Sequence, residues 1–444
     1  MRKNLYVILV VITIVLFAFI LIFAKKAKRN VAGYKERTGS ISLTAEWLDT
    51  KKAIEGLLAT IKSNPDNYKA KLSLAQAYIQ EARVTGDHGY YDKAALDLLD
   101  DVIENDPKNF DALCCKATVL LSQHHFADGL VVANKALPLN PYSAFIYGLM
   151  CDANVELGNY PEAVKMCDKM IAARPDIRSY ARVSYLREIH GDLPGAIQAC
   201  KMAVAAGYPG LEQSEWTRMI LAHLYENTGH LDSAEYEYRT ALNDRPDYAF
   251  AIAGIGRMEK AKGNYKEAIA DYEKAKKDIV EYSFSDELTD LYALNNEPDK
   301  SKKSAQEVID MLSPLPNADQ TTSSHGHYAD KELAYAYLKL NDTANALKHA
   351  MLEYDRRPQN IDVCEAVAWV NYKKGDFKTA NTMINTALRT NCQNPVLLCH
   401  AGLIKIKAGE KEKGVELIKK ALANNPFISD FALKNEASKY LGNN

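Results

Sequence analysis

Four prolines recur at a constant spacing of 34 residues in this chain, at Pro107, Pro141, Pro175 and Pro209. A repeat of this length is typical of helical hairpins stacked in a row, because each hairpin buries its apolar face only against its neighbours. The spacing therefore predicts an all-α solenoid. Such an array presents an extended surface to a partner rather than a catalytic pocket.

Other residues repeat inside each period, as the segment from 246 to 280 illustrates. Gly254 and Gly256 are small residues in the first predicted helix, Gly263 marks the turn, and Ala268 lies in the second helix. Small side chains let two helices approach closely, and glycine readily adopts the left-handed backbone that ends a helix. The same frame returns at Cys151, Gly158, Tyr160 and Ala163; at Ala222, Gly229, Leu231 and Ala234; at Ala368, Gly375, Phe377 and Ala380; and at Gly402, Gly409, Gly414 and Ala421.

This frame resembles the tetratricopeptide repeat, and the resemblance covers nearly everything after residue 43. It implies a right-handed superhelical solenoid of about ten hairpins, in which the first helix of each hairpin lines a concave surface. The segment from Ser179 to Ile197 is also similar to bacterial tetratricopeptide proteins that are often exported or membrane-anchored.

The run from Leu5 to Ala24 contains no charged residue. Twenty helical residues span about 30 Å, which matches the hydrocarbon core of a bilayer. The run exceeds the apolar core of most signal peptides and is followed by basic residues rather than by a small-residue cleavage site. We therefore predict that this run is a transmembrane helix that precedes the solenoid. The predicted localisation is the membrane, through this single-pass N-terminal anchor. The positive charge after the run favours a cytoplasmic array, whereas the family resemblance favours an exported one, so the side stays open.

These features predict a division of the chain into seven segments. They are a short tail at 1–4, the transmembrane anchor at 5–24, a basic juxtamembrane linker at 25–42, an N-terminal repeat block at 43–312, a polar loop at 313–330, a C-terminal repeat block at 331–428, and a capping helix and tail at 429–444.

Charge and motifs restrict the function. Lys and Arg number 55 against 57 Asp and Glu, and eight of the basic residues precede residue 38, which leaves the repeats mildly acidic. Nucleic-acid binding, which needs a basic surface, is therefore not expected. No nucleotide-binding, hydrolase or zinc-protease motif occurs, and the eight cysteines show no CxxC spacing. We predict a non-catalytic protein without a cofactor or a metal.

The predicted function is a membrane-tethered scaffold that binds a protein or peptide in its concave groove. Fitting the repeat frame places nine residues on the inner side of successive first helices, namely Phe145, Arg178, Arg182, Tyr185, Trp216, His223, Glu226, Phe250 and Arg257. The three arginines suit a clamp for a carboxylate or an acidic segment. The aromatic residues alternatively pack between neighbouring repeats.

Two other functions stay open. A metal-responsive or pH-responsive sensor would use His325 and His327 in the polar loop, with His124 and His125 in an earlier turn. Two histidines per loop are fewer than the three or four ligands that a metal site needs. A structural subunit of an envelope assembly is the third possibility. The sequence identifies neither the partner nor the oligomeric state.

Overall fold

The computed structural model describes residue 13, residues 31–313 and residues 327–441. The chain divides into two compact units, residues 1–35 and residues 36–444, and the second unit contains the repeats. Across the described residues it consists of 22 α-helices and no strand, so the predicted all-α class is confirmed.

The helices in chain order are α1 (Ala45–Ser63), α2 (Tyr68–Thr85), α3 (His88–Asn105), α4 (Phe110–Ser122), α5 (Phe126–Ala136), α6 (Ala144–Glu156), α7 (Tyr160–Ala173), α8 (Ile177–Ile189), α9 (Leu193–Ala205), α10 (Glu212–Asn227), α11 (Leu231–Asp244), α12 (Ala249–Lys262), α13 (Tyr265–Ala275), α14 (Tyr282–Leu294), α15 (Pro298–Leu312), α16 (Asp330–Lys339), α17 (Thr343–Arg356), α18 (Ile361–Lys374), α19 (Phe377–Ala387), α20 (Pro395–Lys407), α21 (Lys411–Asn424) and α22 (Phe431–Ser438). Short 3-10 helices cover Ser40–Leu43, Leu137–Leu139 and Leu388–Thr390. After α1, consecutive pairs from α2–α3 to α20–α21 form hairpins 1 to 10, and α22 follows the last hairpin.

The turn inside every hairpin contains one residue with a left-handed backbone. These residues are Gly86, His124, Gly158, Gly191, Gly229, Gly263, Asn296, Asn341, Gly375 and Gly409. A positive φ reverses the chain after the first helix and is easiest for glycine and then asparagine. The recurring turn glycine of the sequence therefore sets the geometry of the hairpin.

The ten hairpins wind into a superhelix whose successive turns touch. The turns inside hairpins 1 to 5 contact segments that lie about 200 residues later. The contacts join Gly86 to Val280, His124 to Tyr328, Gly158 to Gln359, Gly191 to Asn391 and Gly229 to Pro426. Each pair brings a hairpin turn against the connection that enters the hairpin six places further on, or, in the last pair, against the segment before α22. Six hairpins thus complete one superhelical turn, and we call this line of contacts the seam.

Specific polar contacts hold the seam. The Asn360 side-chain amide donates to the Glu156 carbonyl at 3.0 Å, and the Ile361 amide donates to the Tyr160 hydroxyl at 2.9 Å. The buried Arg357 guanidinium bonds both Glu156, across the seam, and Glu353 on its own helix pair. The seam is therefore a built interface, because these buried polar groups pair across it.

The predicted localisation as a single-pass membrane anchor is wrong by this structure. Within the described part of the chain, no helix combines the length and the apolar composition that a bilayer crossing requires. Even the longest helix, α1, carries Glu46, Asp49 and Lys52 and buries only one face. The predicted span from Leu5 to Ala24 lies outside the described residues, apart from Thr13.

Helix crossing within hairpin 6 gives a test of the repeat frame. Ala268 is fully buried, and a Cβ built on Gly256 would lie 3.3 Å from the Ala268 carbonyl and 3.1 Å from the Tyr272 ring. Ala268→Leu should therefore overpack the crossing and lower the free energy of unfolding by about 1–3 kcal/mol. Urea denaturation followed by circular dichroism measures it. Ala270→Leu, at an exposed position of the same helix, is the control, and equal stability of the two variants would contradict the frame.

Candidate functional site

A cavity of about 430 Å³ lies inside the superhelix. The first helices α8, α12, α14, α16, α18 and α20 line it, together with the connection before α22, so both superhelical turns contribute. Its charged lining is mostly acidic. Seven carboxylates, those of Glu188, Asp286, Glu287, Asp290, Asp362, Glu365 and Asp430, face two lysines, Lys260 and Lys339.

On one side of this cavity, lysine side chains form ion pairs with the carboxylates. Lys260 bonds Glu287 at 2.8 Å, and Lys339 bonds Asp286 at 2.8 Å and Asp290 at 3.1 Å. Burial would raise the pKa of Glu287, but Lys260 and Lys339 outweigh it and lower that pKa. Burial dominates at Asp290 and raises its pKa to about 6. This side of the cavity holds its own counter-ions.

The opposite side has acceptors without cations. Among the described residues, no basic nitrogen lies within ion-pair distance of Glu188 or Asp362. Burial, followed by the charge of Asp362, raises the pKa of Glu188 to about 7, although a hydrogen bond from Asn227 acts in the other direction. Burial raises the pKa values of Tyr185 and Tyr335, and nearby carboxylates, including Asp362, raise them further. These groups form an acidic and aromatic wall.

A buried histidine completes that wall. His400 is 3% exposed, and its Nδ1 lies 2.8 Å from Oε1 of Glu365. Its ring stacks on Trp369, with centroids 3.8 Å apart. An ionised carboxylate only accepts hydrogen bonds, so Nδ1 donates to Glu365, and in the neutral imidazole Nε2 is an acceptor. The helices hold this imidazole in one orientation.

The nine sequence-predicted residues fall into separate groups, of which the first surrounds α8. Asp176 caps this helix by accepting from the Arg178 and Ser179 amides at 2.9 and 3.1 Å. The Arg178 guanidinium lies 5.6 Å from the Phe145 ring, in cation–π contact. Arg182 instead pairs with Asp152 of the preceding first helix, Nε to Oδ1 at 2.8 Å. The chain thus supplies a carboxylate to Arg182.

The second group joins α10 and α12. Arg257 Nε lies 3.0 Å from Glu226 Oε1, and its Nη2 donates to the Tyr238 hydroxyl at 2.8 Å. His223 Nε2 lies 3.1 Å from the same nitrogen of Arg257. Burial would raise the pKa of Glu226, but Arg257 and His223 outweigh it and lower that pKa to about 2. Glu226 therefore stays ionised and holds Arg257.

The remaining predicted residues are aromatic. Trp216 packs edge-on against Phe250 with ring centroids 4.9 Å apart, and Phe250 lines a second cavity of about 480 Å³ beside residues 40–46. Tyr185 is the one member of the predicted set that lines the interior cavity. Sequence reasoning missed Glu188, Asp362 and His400, because only the superhelical winding brings these hairpins together.

One cluster has the residue types of a hydrolase triad. Ser122 Oγ lies 3.1 Å from Asp92 Oδ2 and 3.1 Å from His88 Nδ1, which is itself 3.1 Å from Asp92 Oδ2. A catalytic triad needs the serine and the carboxylate on different imidazole nitrogens. Here both converge on Nδ1, so this arrangement supports packing rather than nucleophilic catalysis.

Of the two histidines predicted in the polar loop, only His327 lies within the described residues. The rings of His124 and His327 lie 4.3 Å apart, and His124 Nδ1 donates to the Tyr328 carbonyl at 2.7 Å across the seam. His325 lies outside the described residues. Among the described residues, no three His, Cys, Asp or Glu side chains converge on a point where they could hold a metal ion.

These histidines should make seam stability depend on pH. Burial lowers the pKa of His124 below its ordinary 6.5, and burial together with His124 lowers the pKa of His327. The unfolded chain therefore binds more protons, so this contribution is complete above pH 6.5 and is lost as the pH falls below it. We expect urea midpoints to fall between pH 7.5 and 5.5 by more in the parent chain than in His124→Asn.

Asparagine tolerates the left-handed backbone at position 124, which makes that variant suitable. The raised pKa values of Glu188 and Asp290 make the folded state more stable as the pH falls over the same range. They therefore oppose the destabilisation that the histidines cause. Because both proteins contain them, the difference between the two proteins isolates the imidazole. An identical pH response of the two would contradict the assignment.

Comparisons with known proteins agree with the hairpin geometry. A family model described as tetratricopeptide repeat matches residues 251–277, which lie in hairpin 6. The Cellulose synthase 1 operon protein C of Komagataeibacter xylinus is 29% identical over 144 residues, a match that covers 30% of this chain and 11% of that protein. The chain therefore spans only a small part of that relative.

Two solved structures are also similar. A thermophilic tetratricopeptide repeat protein of Thermus thermophilus is 19% identical, with 46% of this chain and 99% of that chain covered and a TM-score of 0.37. A tetratricopeptide repeat protein of Parabacteroides merdae is 15% identical, with 58% and 94% covered and a TM-score of 0.42. On the family match, this chain contains a tetratricopeptide repeat at residues 251–277, and the left-handed turn of that repeat recurs in every described hairpin.

Proposed function

We propose that this chain is a non-catalytic scaffold that binds a protein or peptide partner inside its superhelix. The observation that carries the proposal is the interior cavity, which first helices from both superhelical turns line with charged and aromatic side chains. Tetratricopeptide solenoids expose such concave surfaces to their partners.

The remaining members of the predicted set extend the proposed surface. Arg178, Trp216 and Phe250 lie on first helices of hairpins 4 to 6, and Trp216 keeps 37% of its surface exposed. Exposed aromatic and arginine side chains are the residues that most often dominate binding energy. Arg182 and Arg257 contribute by fixing the surface, since each is held by an internal carboxylate.

Peptide selection tests this function. A random peptide library displayed on phage is selected against the full chain, and the affinity of an enriched peptide is measured by fluorescence anisotropy. Tyr185→Ala, inside the cavity, should weaken binding about tenfold, as loss of a central aromatic contact does.

The matched control is Tyr236→Ala, because Tyr236 is 66% exposed on a second helix and does not line the cavity. It should leave the affinity unchanged. Failure to enrich any peptide, or equal effects of the two tyrosine variants, would refute binding in the superhelix interior.

A further inference from the structure

The acidic wall of the interior cavity has more negative charge than the described residues neutralise. Glu188 and Asp362 face the cavity without an ion-pair partner among the described residues. Asp362 helps to raise the pKa of Lys331, but the Lys331 ammonium group forms its ion pair with Glu332, at 3.5 Å. These two half-buried carboxylates repel each other in the cavity, and a bound cation would relieve that repulsion.

A second observation, independent of the carboxylates, is the orientation of His400. The side chain is 97% buried, and its Nδ1 proton is donated to Glu365. No described group donates to Nε2, although His400 lines the cavity. Nε2 therefore reaches the cavity without a protein partner, and a ligand that enters the cavity can donate to it.

The aromatic side chains fit the same ligand. Tyr185 keeps 39% of its surface exposed towards the cavity, and Tyr335 lines it as well. Ring faces attract ammonium and guanidinium groups. A cavity of about 430 Å³ lies at the lower end of the usual range for ligand sites, so it admits a side chain but not a folded domain.

We propose that the interior cavity receives a lysine or arginine side chain of a peptide segment from the partner, held by Glu188 and Asp362 with Nε2 of His400 as a third acceptor. This inference rests on the proposed function and names the chemistry of its partner. It replaces the acidic ligand expected from the arginines, because Arg182 and Arg257 already hold Asp152 and Glu226.

Anisotropy with defined probes tests the inference on the full chain. The first probe is a fluorescein-labelled octapeptide with two lysines and two arginines among glycines and serines, and the second has glutamate at those four positions. The basic peptide should bind saturably and the acidic one should not. Asp362→Asn and Glu188→Gln should each weaken binding about tenfold or more, since each removes a charge partner.

His400 gives a more specific readout than charge alone. His400→Gln keeps a neutral acceptor and should retain most of the affinity, whereas His400→Phe should lose about fivefold or more. Asp232→Asn removes a carboxylate that is exposed on α11 and does not line the cavity. It should not change binding. Circular dichroism spectra and melting curves of every variant verify folding.

Several outcomes overturn the inference. They are the absence of saturable binding by the basic peptide, equal binding of the acidic peptide, or unchanged affinity in both carboxylate variants. Spermidine that binds as tightly as the peptide and displaces it would reassign the site to a small polyamine. If phage selection instead enriches cavity-dependent peptides that lack lysine and arginine, the proposed function stands and this inference alone fails.

Discussion

Replacing Arg357 with methionine is expected to destabilise the chain by about 3 kcal/mol, a value at the lower end for breaking a buried ion pair. The Arg357 side chain is 4% exposed and bonds Glu156 and Glu353, and its guanidinium lies 4.7 Å from the Phe126 ring. Methionine fills much of the volume but leaves two carboxylates without this cation. Because Arg356 still bonds Glu353, the loss should not reach the upper end of the range.

Hydrogen exchange and urea denaturation measure this effect together. Exchange should accelerate most at residues 155–161 and 357–364, since these segments meet at the seam. Arg239→Met is the matched control, because Arg239 forms an exposed pair with Glu235 that is worth only about 0–1 kcal/mol. Faster exchange confined to α17 in the Arg357 variant would show that the arginine does not join the two superhelical turns.

Gly158→Ala is expected to cost about 2–4 kcal/mol, of which about 1 kcal/mol is backbone strain and the rest is overpacking. Gly158 has a φ of 78°, and a Cβ built on it would lie 2.2 Å from the carbonyl oxygen of Gln359. The substitution must therefore separate the two superhelical turns at this point. The urea midpoint of the full chain gives the measurement.

Gly375→Ala provides the control for this effect. Gly375 occupies the same turn position in hairpin 9 with a φ of 89°, but a Cβ there meets no atom within 4 Å. This variant should lose only the strain of about 1 kcal/mol. Equal losses in the two glycine variants would mean that the seam does not press on the hairpin turns.

The hairpins themselves could be predicted from the sequence because local chemistry specifies them. The glycines expected at turns, such as Gly158 and Gly263, have left-handed backbones, and Ala163 and Ala268 are fully buried at helix crossings. Even the irregular turn near Asn296, which lacks glycine, keeps a positive φ. These features depend on residues within one repeat, where periodicity is informative.

The seam could not be predicted in this way. Arg357 and Glu156 lie 201 residues apart, and no regularity of the sequence pairs them. Their contact depends on the accumulated rotation from one hairpin to the next, which the proline period does not report. The prediction of two repeat blocks separated by a polar loop remains a prediction, since most of that loop lies outside the described residues.

The candidate site was predicted only in part for a related reason. Arg182 and Arg257 lie on first helices, and their partners Asp152 and Glu226 lie 30 and 31 residues earlier. That spacing, close to one repeat, is a signal that sequence analysis can use: an acidic residue one period before a groove arginine neutralises it. Glu188 and His400 are brought together by the superhelix, so no local signal marks them.

The central claim is that six hairpins complete one turn of a superhelix whose turns touch. Photo-crosslinking from p-benzoylphenylalanine at position 265 tests it most directly, because the Tyr265 ring lies 6.3 Å from that of Phe431. In the monomer fraction, mass spectrometry should identify crosslinks to peptides around residues 424–434. Crosslinks confined to the neighbouring hairpins 5 to 7 would show an open solenoid and contradict the account.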